Sequence, residues 1–197
     1  MPCTLLDPTT ARAMPWKNGG GSTVELAISP ADAGLEEDFA WRISTAQVAM
    51  DGAFSSFPGI DRSLAVLAGN GVCLQRADGQ RETLLSGGAI AVFGGEEAIS
   101  AQLLDGPITD LNLMTRRGVW RHELQLLEWQ GEQALQNDAE ILLLWNAAPE
   151  ALHYQLPAGD QQVLAAHSGV LLENEQGRLT LESDQPSLLY VGRMRRG

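Results

Sequence analysis

Apolar and polar residues alternate in short runs along almost the whole chain. The runs are separated by Gly, Pro, Asp or Asn, and strands joined by tight turns produce this combination. Stretches with the roughly 3.6-residue period of an amphipathic helix are scarce. The pattern therefore predicts an all-β protein built from many short strands.

Three of the predicted strands have one polar and one apolar face. The polar faces consist of Thr23, Glu25 and Ala27 in the first strand, Arg42 and Ser44 in the second, and Asp110, Asn112, Met114 and Arg116 in the third. The apolar faces consist of Val24, Leu26 and Ile28, then Phe39, Trp41 and Ile43, then Leu111 and Leu113 with Thr115. A polar face turned to solvent is the ordinary explanation. A methionine among polar side chains also suits the semi-polar interior of a small barrel, and the pattern leaves both explanations open.

The middle of the chain has the rhythm of a hairpin ladder. Gly-containing turns separate the segments Leu64 to Ala68, Val72 to Arg76, Glu82 to Leu85, Ala89 to Phe93 and Ala98 to Leu104. Strands at this spacing are typical of a β-sandwich or barrel. After Gly118 the rhythm restarts, and there Arg178 to Glu182 and Ser187 to Val191 are predicted as separate strands. We therefore predict a duplication with two domains, residues 1–118 and residues 119–197.

One glycine-rich stretch stands out near the start. It runs from Pro15 through Trp16, Lys17 and Asn18 to the glycines at 19–21, and it contains the only lysine of the chain. Asn-Gly predicts a tight turn, and successive glycines leave N–H groups free to face an anion. The stretch is either a ligand loop, with Trp16 as an apolar wall and Lys17 as a mobile charge, or a plain hairpin turn. It is not a P-loop, because no Gly-Lys-Ser/Thr follows.

The charge balance excludes several classes of partner. The 197 residues include 13 basic and 25 acidic side chains, giving a net charge of −12. Nucleic acids and membrane surfaces attract basic patches, so we expect neither as a partner.

Cys3 and Cys73 fit no disulfide framework or metal spacing and predict a reducing, cytoplasmic location. No run of the sequence approaches the roughly 20 apolar residues that cross a bilayer. The sequence leaves open whether the protein forms a homodimer.

Positive charge is concentrated on the polar strand faces and the loops near them. The basic residues there are Lys17, Arg42, Arg62 and Arg116, and the acidic ones are Glu25, Asp61 and Asp110. This is a local excess of one positive charge in a strongly acidic chain. Because arginine pairs bidentately with carboxylates, the cluster suits a small anionic ligand. Structural ion pairs inside a polar barrel are the alternative, and from the residues alone they explain the cluster slightly better.

Metal binding and nucleophilic catalysis have little support in the sequence. The three histidines, His122, His153 and His167, all lie in the second half and form no His-x-His pair, so no metal site and no cofactor is expected. No serine lies in a Gly-x-Ser-x-Gly elbow. Proton transfer by Glu25 or Asp110 is the catalytic alternative.

Several motifs together resemble the HutD/Ves family. They are Pro15-Trp16-Lys17-Asn18-Gly19-Gly20-Gly21 with Thr23 and Glu25, Trp41-Arg42-Ile43-Ser44, Phe54-Ser55-x-Phe57-Pro58-Gly59-x-Asp61-Arg62, and Asp110-Leu111-Asn112-x-Met114 with Arg116. The resemblance implies a cupin-type, RmlC-like β-barrel, duplicated as a bicupin and lacking the metal-binding histidines of other cupins. HutD members are associated with histidine utilisation, and Ves members with stress or cold response.

The resulting hypothesis is a cytoplasmic regulatory protein that binds a small carboxylate such as formylglutamate or urocanate. The predicted ligand-binding residues are Trp16, Lys17, Asn18, Glu25, Arg42, Ser44, Asp61, Arg62, Asp110, Asn112 and Arg116. In this hypothesis the arginines and Lys17 neutralise the ligand and the amide and hydroxyl groups orient it. The alternatives are a metal-independent isomerase or hydrolase using Glu25 or Asp110, and an interaction module whose barrel is purely structural.

Overall fold

The regular structure of the protein is entirely β. The computed structural model describes residues 3–16, 18–33 and 39–197, and within these ranges it contains strands and no helix. The all-β prediction is therefore confirmed. Since the described part of the chain has no helix, it contains none that is long and apolar enough to cross a membrane.

The strands follow one another with short turns. They are β1 (Cys3–Leu6), β2 (Ala13–Pro15), β3 (Gly21–Ser29), β4 (Trp41–Val48), β5 (Gly52–Ala53), β6 (Ile60–Ala68), β7 (Val72–Arg76), β8 (Arg81–Leu84), β9 (Ala91–Gly94), β10 (Ile99–Leu103), β11 (Ile108–Arg116), β12 (Trp120–Asn137), β13 (Ile141–Asn146), β14 (Leu152–Gln155), β15 (Gln161–Leu164), β16 (Gly169–Glu173) and β17 (Gly177–Arg196). The strand pairs are antiparallel in every described ladder.

The chain divides into two compact units. The N-terminal unit comprises Pro8–Arg121 with Gly197, and the C-terminal unit comprises residues 3–7 with His122–Arg196. The sequence prediction had assigned residues 1–7 to the N-terminal domain. The difference arises because β1 forms a ladder with β16, in which Cys3 lies opposite Leu172 and Leu6 opposite Gly169.

The N-terminal unit consists of two sheets that share a core. The six-stranded sheet has the order β2-β3-β4-β11-β6-β9, and the four-stranded sheet has the order β5-β10-β7-β8. Their shared apolar core contains Val48, Leu64, Val66, Ala91, Phe93 and Ile108 from the first sheet and Val72, Leu74, Leu84, Ile99 and Ala101 from the second. We call the face of the six-stranded sheet that carries these residues the inner face. The arrangement corresponds to the predicted sandwich or barrel.

The β3 strand departs from simple alternation. A bulge shifts the register with β4 between Glu25, which lies opposite Ser44, and Ala27, which lies opposite Ile43. Ile28 then lies opposite Arg42 and packs against the buried cluster that contains Met114. The prediction that Ile28 shares a face with Val24 is therefore wrong, because the bulge adds a residue and reverses the facing of the rest of the strand.

The C-terminal unit is a single curled sheet. Its strand order is β1-β16-β13-β17-β14-β15, with β12 also paired to β17. One face encloses a core from β12 to β17 that includes Leu144, Tyr154, Leu172 and Leu181. The segments predicted as two strands at 178–182 and 187–191 form one continuous strand, which pairs with β14 through its first half and with β13 through its second half.

Candidate functional site

The polar residues of the N-terminal unit meet at the centre of its six-stranded sheet. Met114 on β11 lies opposite Arg42 on β4 and opposite Arg62 on β6, so the two arginines flank it in one row. In the next row Asn112 lies between Ser44 and Leu64. Because side chains alternate along a strand, these residues all project from the inner face.

We call these polar residues, together with Asp110 and Glu25, the buried row. Its two arginines and Asp110 are buried. Arg42 is 4% exposed, Arg62 is 5% exposed and Asp110 is 1% exposed. Of the two explanations left open by the alternation, the solvent-facing one is wrong, and the polar face lines the interior of the unit. Charged side chains are almost never this buried unless they are paired, so the partners of each one determine what the site can do.

Arg42 is paired with the acidic residue of the neighbouring strand. Its Nε donates a hydrogen bond to Glu25 Oε2 at 2.7 Å. The Glu25 side chain is 27% exposed, so this ion pair connects the buried row with solvent on the β3 side. The Nη2 atom of Arg42 is buried and has no hydrogen-bond acceptor among the residues that the structure describes.

Arg62 is enclosed more completely. Its Nη2 donates to Asn112 Oδ1 at 2.7 Å, and its guanidinium carbon lies 5.1, 5.6 and 5.0 Å from the ring centroids of Phe54, Phe57 and Phe93. Cation–π attraction to three rings compensates part of the lost hydration. Burial nevertheless lowers the pKa of Arg62 to about 10. Its Nε is buried without an acceptor in the described part of the chain.

Asp110 is the acidic counterpart of Arg62, but the two are linked through an amide. Asn112 Nδ2 donates to Asp110 Oδ1 at 2.9 Å while its own Oδ1 accepts from Arg62. Burial raises the pKa of Asp110 to about 7, against the opposing effects of the Arg62 charge and of hydrogen bonds from Asn112 and the Ala46 backbone. The carboxyl group therefore changes protonation close to neutral pH.

Arg116 ends the same strand. Its Nε donates to the Phe39 carbonyl oxygen at 2.9 Å, and its guanidinium carbon lies 5.9 Å from the Phe39 ring centroid. Phe39 is fully buried beside Ile60 and Met114. Arg116 therefore contributes a half-buried positive charge at the end of the polar row.

The glycine-rich stretch forms a tight turn between β2 and β3. The Gly19 N–H donates to the Trp16 carbonyl at 3.0 Å, the Trp16 N–H donates to the Gly21 carbonyl at 2.9 Å, and Asn18 Oδ1 accepts from the Gly20 N–H at 3.0 Å. Trp16 Nε1 donates to Thr23 Oγ1 at 2.8 Å, and the ring packs against the shared core. Asn18 is exposed and bonded to its own turn, while Lys17 lies outside the described residues.

The structure does not bring Asp61 to the buried row. It precedes Arg62 on β6, and its Oδ1 accepts hydrogen bonds from Arg117 Nε at 2.9 Å and Arg117 Nη2 at 2.7 Å. Arg117 also binds Glu96 at 2.8 Å. These three side chains form an exposed ion-pair group, which accounts for Asp61 without a ligand.

The sequence prediction missed one of the aromatic neighbours of Arg62. Phe54 and Phe57 carry the resemblance motif, whereas Phe93 lies on β9 and was predicted only as a strand residue. Phe93 lies opposite Arg62 in the β6–β9 ladder. Only the pairing of these two strands identifies Phe93 as part of the site, and no local pattern signals it.

The described residues of this site suit an anion better than a metal. No group of three or more His, Cys, Asp or Glu side chains among the described residues could hold a metal ion. The buried row contains Arg42 and Arg62 with two nitrogen donors that lack acceptors. Donors of this kind favour a ligand with carboxylate oxygens.

Comparison with known sequences gives one family. The HutD family profile matches residues 8–191. An uncharacterised 21.2 kDa protein in the hutC 3′ region of Pseudomonas putida is 36% identical over 169 residues, which covers 86% of each chain. The protein Ves of Escherichia fergusonii is 38% identical over 109 residues, covering 53% of this chain and 55% of Ves.

Solved structures agree with the fold. A conserved protein of unknown function from Pseudomonas aeruginosa PAO1 has a TM-score of 0.91 at 32% identity, covering 99% of this chain and 100% of that one. HutD from Pseudomonas fluorescens SBW25, in a structure described as a formate condition, has a TM-score of 0.82 at 28% identity over 100% of both chains. Oxalate decarboxylase from Lactobacillus farciminis, at 9% identity and a TM-score of 0.67 over 96% of this chain and 85% of that one, shares the fold alone. The predicted cupin-type fold is thereby confirmed.

Proposed function

The chain belongs to the HutD family, and from this premise we propose that it binds a small carboxylate between Arg42 and Arg62 and acts as a sensor or limiter of histidine utilisation. One observation carries the proposal: two buried arginines, one on each side of Met114, each have a nitrogen donor without an acceptor among the described residues. An unmet buried donor costs about 1–3 kcal/mol. A ligand oxygen that accepts from these donors removes this cost, so part of the ligand's affinity is already built into the protein.

The remaining residues of the row have roles in this proposal. Glu25 and Asn112 hold the two guanidinium groups in place, and Ser44 adds a hydroxyl group beside Asn112. Because Glu25 is the partly exposed member of the row, the ligand enters on the β3 side. The two donors without acceptors are shielded from solvent, so entry requires a local shift of the side chains that cover them.

The pathway assignment comes from the relatives. The Pseudomonas putida relative is named for its position beside hutC, and a solved structure with 28% identity is named HutD. Formylglutamate and urocanate, the intermediates suggested by the family resemblance, both carry carboxylates that suit buried arginines. A binding protein of this kind would respond to the level of the intermediate without converting it.

Calorimetric titration with formylglutamate, urocanate, glutamate and histidine tests the proposal. We expect saturable binding of at least one of the pathway carboxylates to the wild-type protein. In Arg42→Gln we expect the affinity to fall at least tenfold, because a charge-assisted hydrogen bond contributes about 1.5–3 kcal/mol. Arg42 is the better position to change, since its partner Glu25 is partly exposed and stays hydrated when the arginine is removed.

Arg117→Gln is the matched control. It removes the same charge from an exposed arginine of the same unit that binds Asp61 and Glu96. We expect wild-type affinity for this variant and a cooperative thermal unfolding transition for both variants, which shows that both fold. Equal affinities of Arg42→Gln and Arg117→Gln would contradict the proposal.

A metal-independent enzyme is the second candidate, because the pKa of Asp110 lies at about 7. A carboxyl group that titrates near neutral pH suits general acid or base catalysis. Chromatographic analysis of the titrated samples separates the candidates. Product formation that is lost in Asp110→Asn, with binding retained, would support the enzyme, whereas binding without product supports the sensor.

A further inference from the structure

A continuous hydrogen-bonded path links the candidate ligand site to a buried acid. Arg62 Nη2 donates to Asn112 Oδ1, and Asn112 Nδ2 donates to Asp110 Oδ1. Asp110 is 1% exposed, so its charge is not hydrated by bulk water. A change in the charge around Arg62 therefore changes the electrostatic potential at Asp110 with little screening.

Four of the five charged side chains that the structure describes on the inner face balance one another. Arg62 on β6 and Arg42 on β4 are positive, while Glu25 on β3 and Asp110 on β11 are negative. Arg116, at the far end of β11, is half-buried and bound to the Phe39 carbonyl. The four-stranded sheet contributes Val72, Leu74 and Ile99 to the shared core. Its charged residues at same-facing positions are Arg76 on β7 and Glu82 on β8, and Arg76 is ion-paired with both Glu82 and Glu97.

A bound carboxylate disturbs this balance by adding one negative charge to a buried group of side chains. Uncompensated buried charge is costly, and a buried acid responds by taking up a proton. Glu25 is partly exposed and ion-paired, whereas Asp110 is fully enclosed and reaches its countercharge only through Asn112. Asp110 is therefore the group on which a neutralising proton costs least.

We propose that Asp110 takes up one proton from solvent when a carboxylate binds beside Arg42 and Arg62, so that the site captures the anion and the proton together. The inference rests on the proposed function of the same site. The new O–H bond forms on the Asp110 carboxylate, and the bond that breaks is the one that holds the proton on hydronium or on the buffer acid in solvent. Binding then leaves the charge of the buried row unchanged and makes the site responsive to pH.

The titration behaviour of Asp110 supports this coupling. Burial already raises its pKa to about 7 while Arg62 opposes the rise. A carboxylate bound to Arg62 weakens that opposition, so the pKa in the complex is higher than in the free protein. Below pH 7 Asp110 is largely protonated in both states, and affinity is independent of pH there. Above pH 7 binding must recruit the proton, and affinity falls as pH rises.

Calorimetry in buffers of different ionisation enthalpy measures the proton directly. Formylglutamate is titrated into the full-length protein at pH 8 in Tris and in HEPES. We expect the observed enthalpy to change with the buffer ionisation enthalpy with a slope approaching one proton taken up. The affinity should weaken by up to about tenfold per pH unit between pH 7.5 and 8.5.

Asp110→Asn is the diagnostic variant, because the amide keeps the shape of the side chain and cannot take up the proton. We expect its slope to fall to near zero and its affinity to become independent of pH, while Arg117→Gln keeps the wild-type slope. Wild-type binding without a buffer-dependent enthalpy overturns the inference even if Asp110→Asn does not fold. A slope retained in Asp110→Asn but lost in Glu25→Gln overturns it as well. Absence of any formylglutamate binding overturns instead the proposed function on which the inference rests.

Discussion

The guanidinium group of Arg62 is held by its surroundings as much as by its ion pair. Three phenylalanine rings lie within 6 Å of it, and its counterion Asp110 is reached only through Asn112. Removing one member of a buried charge pair leaves the other uncompensated. The stability of this row therefore depends on Arg62 and Asp110 together.

Above pH 8, where Asp110 is charged, we expect Arg62→Met to lower the free energy of unfolding by up to about 3–5 kcal/mol, because Asp110 loses its buried countercharge. Near pH 7 the loss should be smaller, because the pKa of Asp110 is about 7 and the carboxyl group takes up a proton instead. The remaining carboxyl should become protonated at higher pH than in the wild type. Adding Asp110→Asn to Arg62→Met should restore part of the loss. Urea denaturation of the two single variants and the double variant measures the coupling. Additive losses would show that Arg62 and Asp110 do not stabilise each other.

Single-residue alternation predicted which side chains share a face but not whether that face is buried. It placed Arg42 and Ser44 together, and Asp110 with Asn112, as the structure does. Burial depends on the second sheet that packs over this face, and packing between two sheets leaves no mark on the alternation within one strand. For this reason the sequence left both the barrel interior and the solvent-facing surface open.

At the scale of the element, the turn before β3 is shaped by close packing. A Cβ atom on Gly21 would lie 2.2 Å from the Gln47 carbonyl oxygen and 3.0 Å from the Trp16 ring. Gly19 has a φ of 71°, which favours glycine. The glycine run is thus accounted for by turn geometry and packing at these two positions, and the structure supplies this reason independently of any ligand.

We expect Gly21→Ala to destabilise the protein by about 1–3 kcal/mol, because the methyl group clashes with backbone that belongs to the β3–β4 ladder. Gly52→Ala is the matched control, since no atom lies within 4 Å of its added Cβ. Thermal unfolding of both variants tests this expectation. A loss at Gly52 equal to that at Gly21 would contradict the clash as the cause, because chain entropy alone favours alanine at an open position.

The bulge in β3 shows where element-level prediction fails. Val24, Leu26 and Ile28 have the spacing of one strand face, but the register shift after Glu25 turns Ile28 toward Arg42. A bulge is set by the pairing with the neighbouring strand and leaves no consistent mark on apolar periodicity. The sequence therefore predicts that this segment is a strand, but it does not predict which face of the sheet the side chains after the bulge occupy.

At the scale of the whole molecule, the first strand belongs to the unit formed by the last third of the chain. Leu6 is fully buried and lies opposite Gly169 in the ladder with β16, whereas Leu5 in the same strand is 70% exposed. Pairing between residues more than 160 positions apart has no local signal. Strand count and the restart after Gly118 predicted two units, but they could not assign β1.

We expect Leu6→Ala to cost about 2–5 kcal/mol, as is usual for large-to-small changes in a core. The amides of β16 and β13 should lose hydrogen-exchange protection first, because β1 completes their edge of the sheet. Leu5→Ala should cost less than about 0.5 kcal/mol. Protection lost first in β4 and β11 would contradict the assignment of β1 to the C-terminal unit.

We propose that the buried arginines of the N-terminal unit bind a carboxylate. A crystal structure of the protein with formylglutamate, or with urocanate if that binds more tightly, tests it most directly. We expect a carboxylate with oxygens within about 3 Å of Arg42 Nη2 and Arg62 Nε, the two donors that have no acceptor among the described residues. A ligand bound elsewhere on the protein, with both of these nitrogens still without an acceptor, would contradict it.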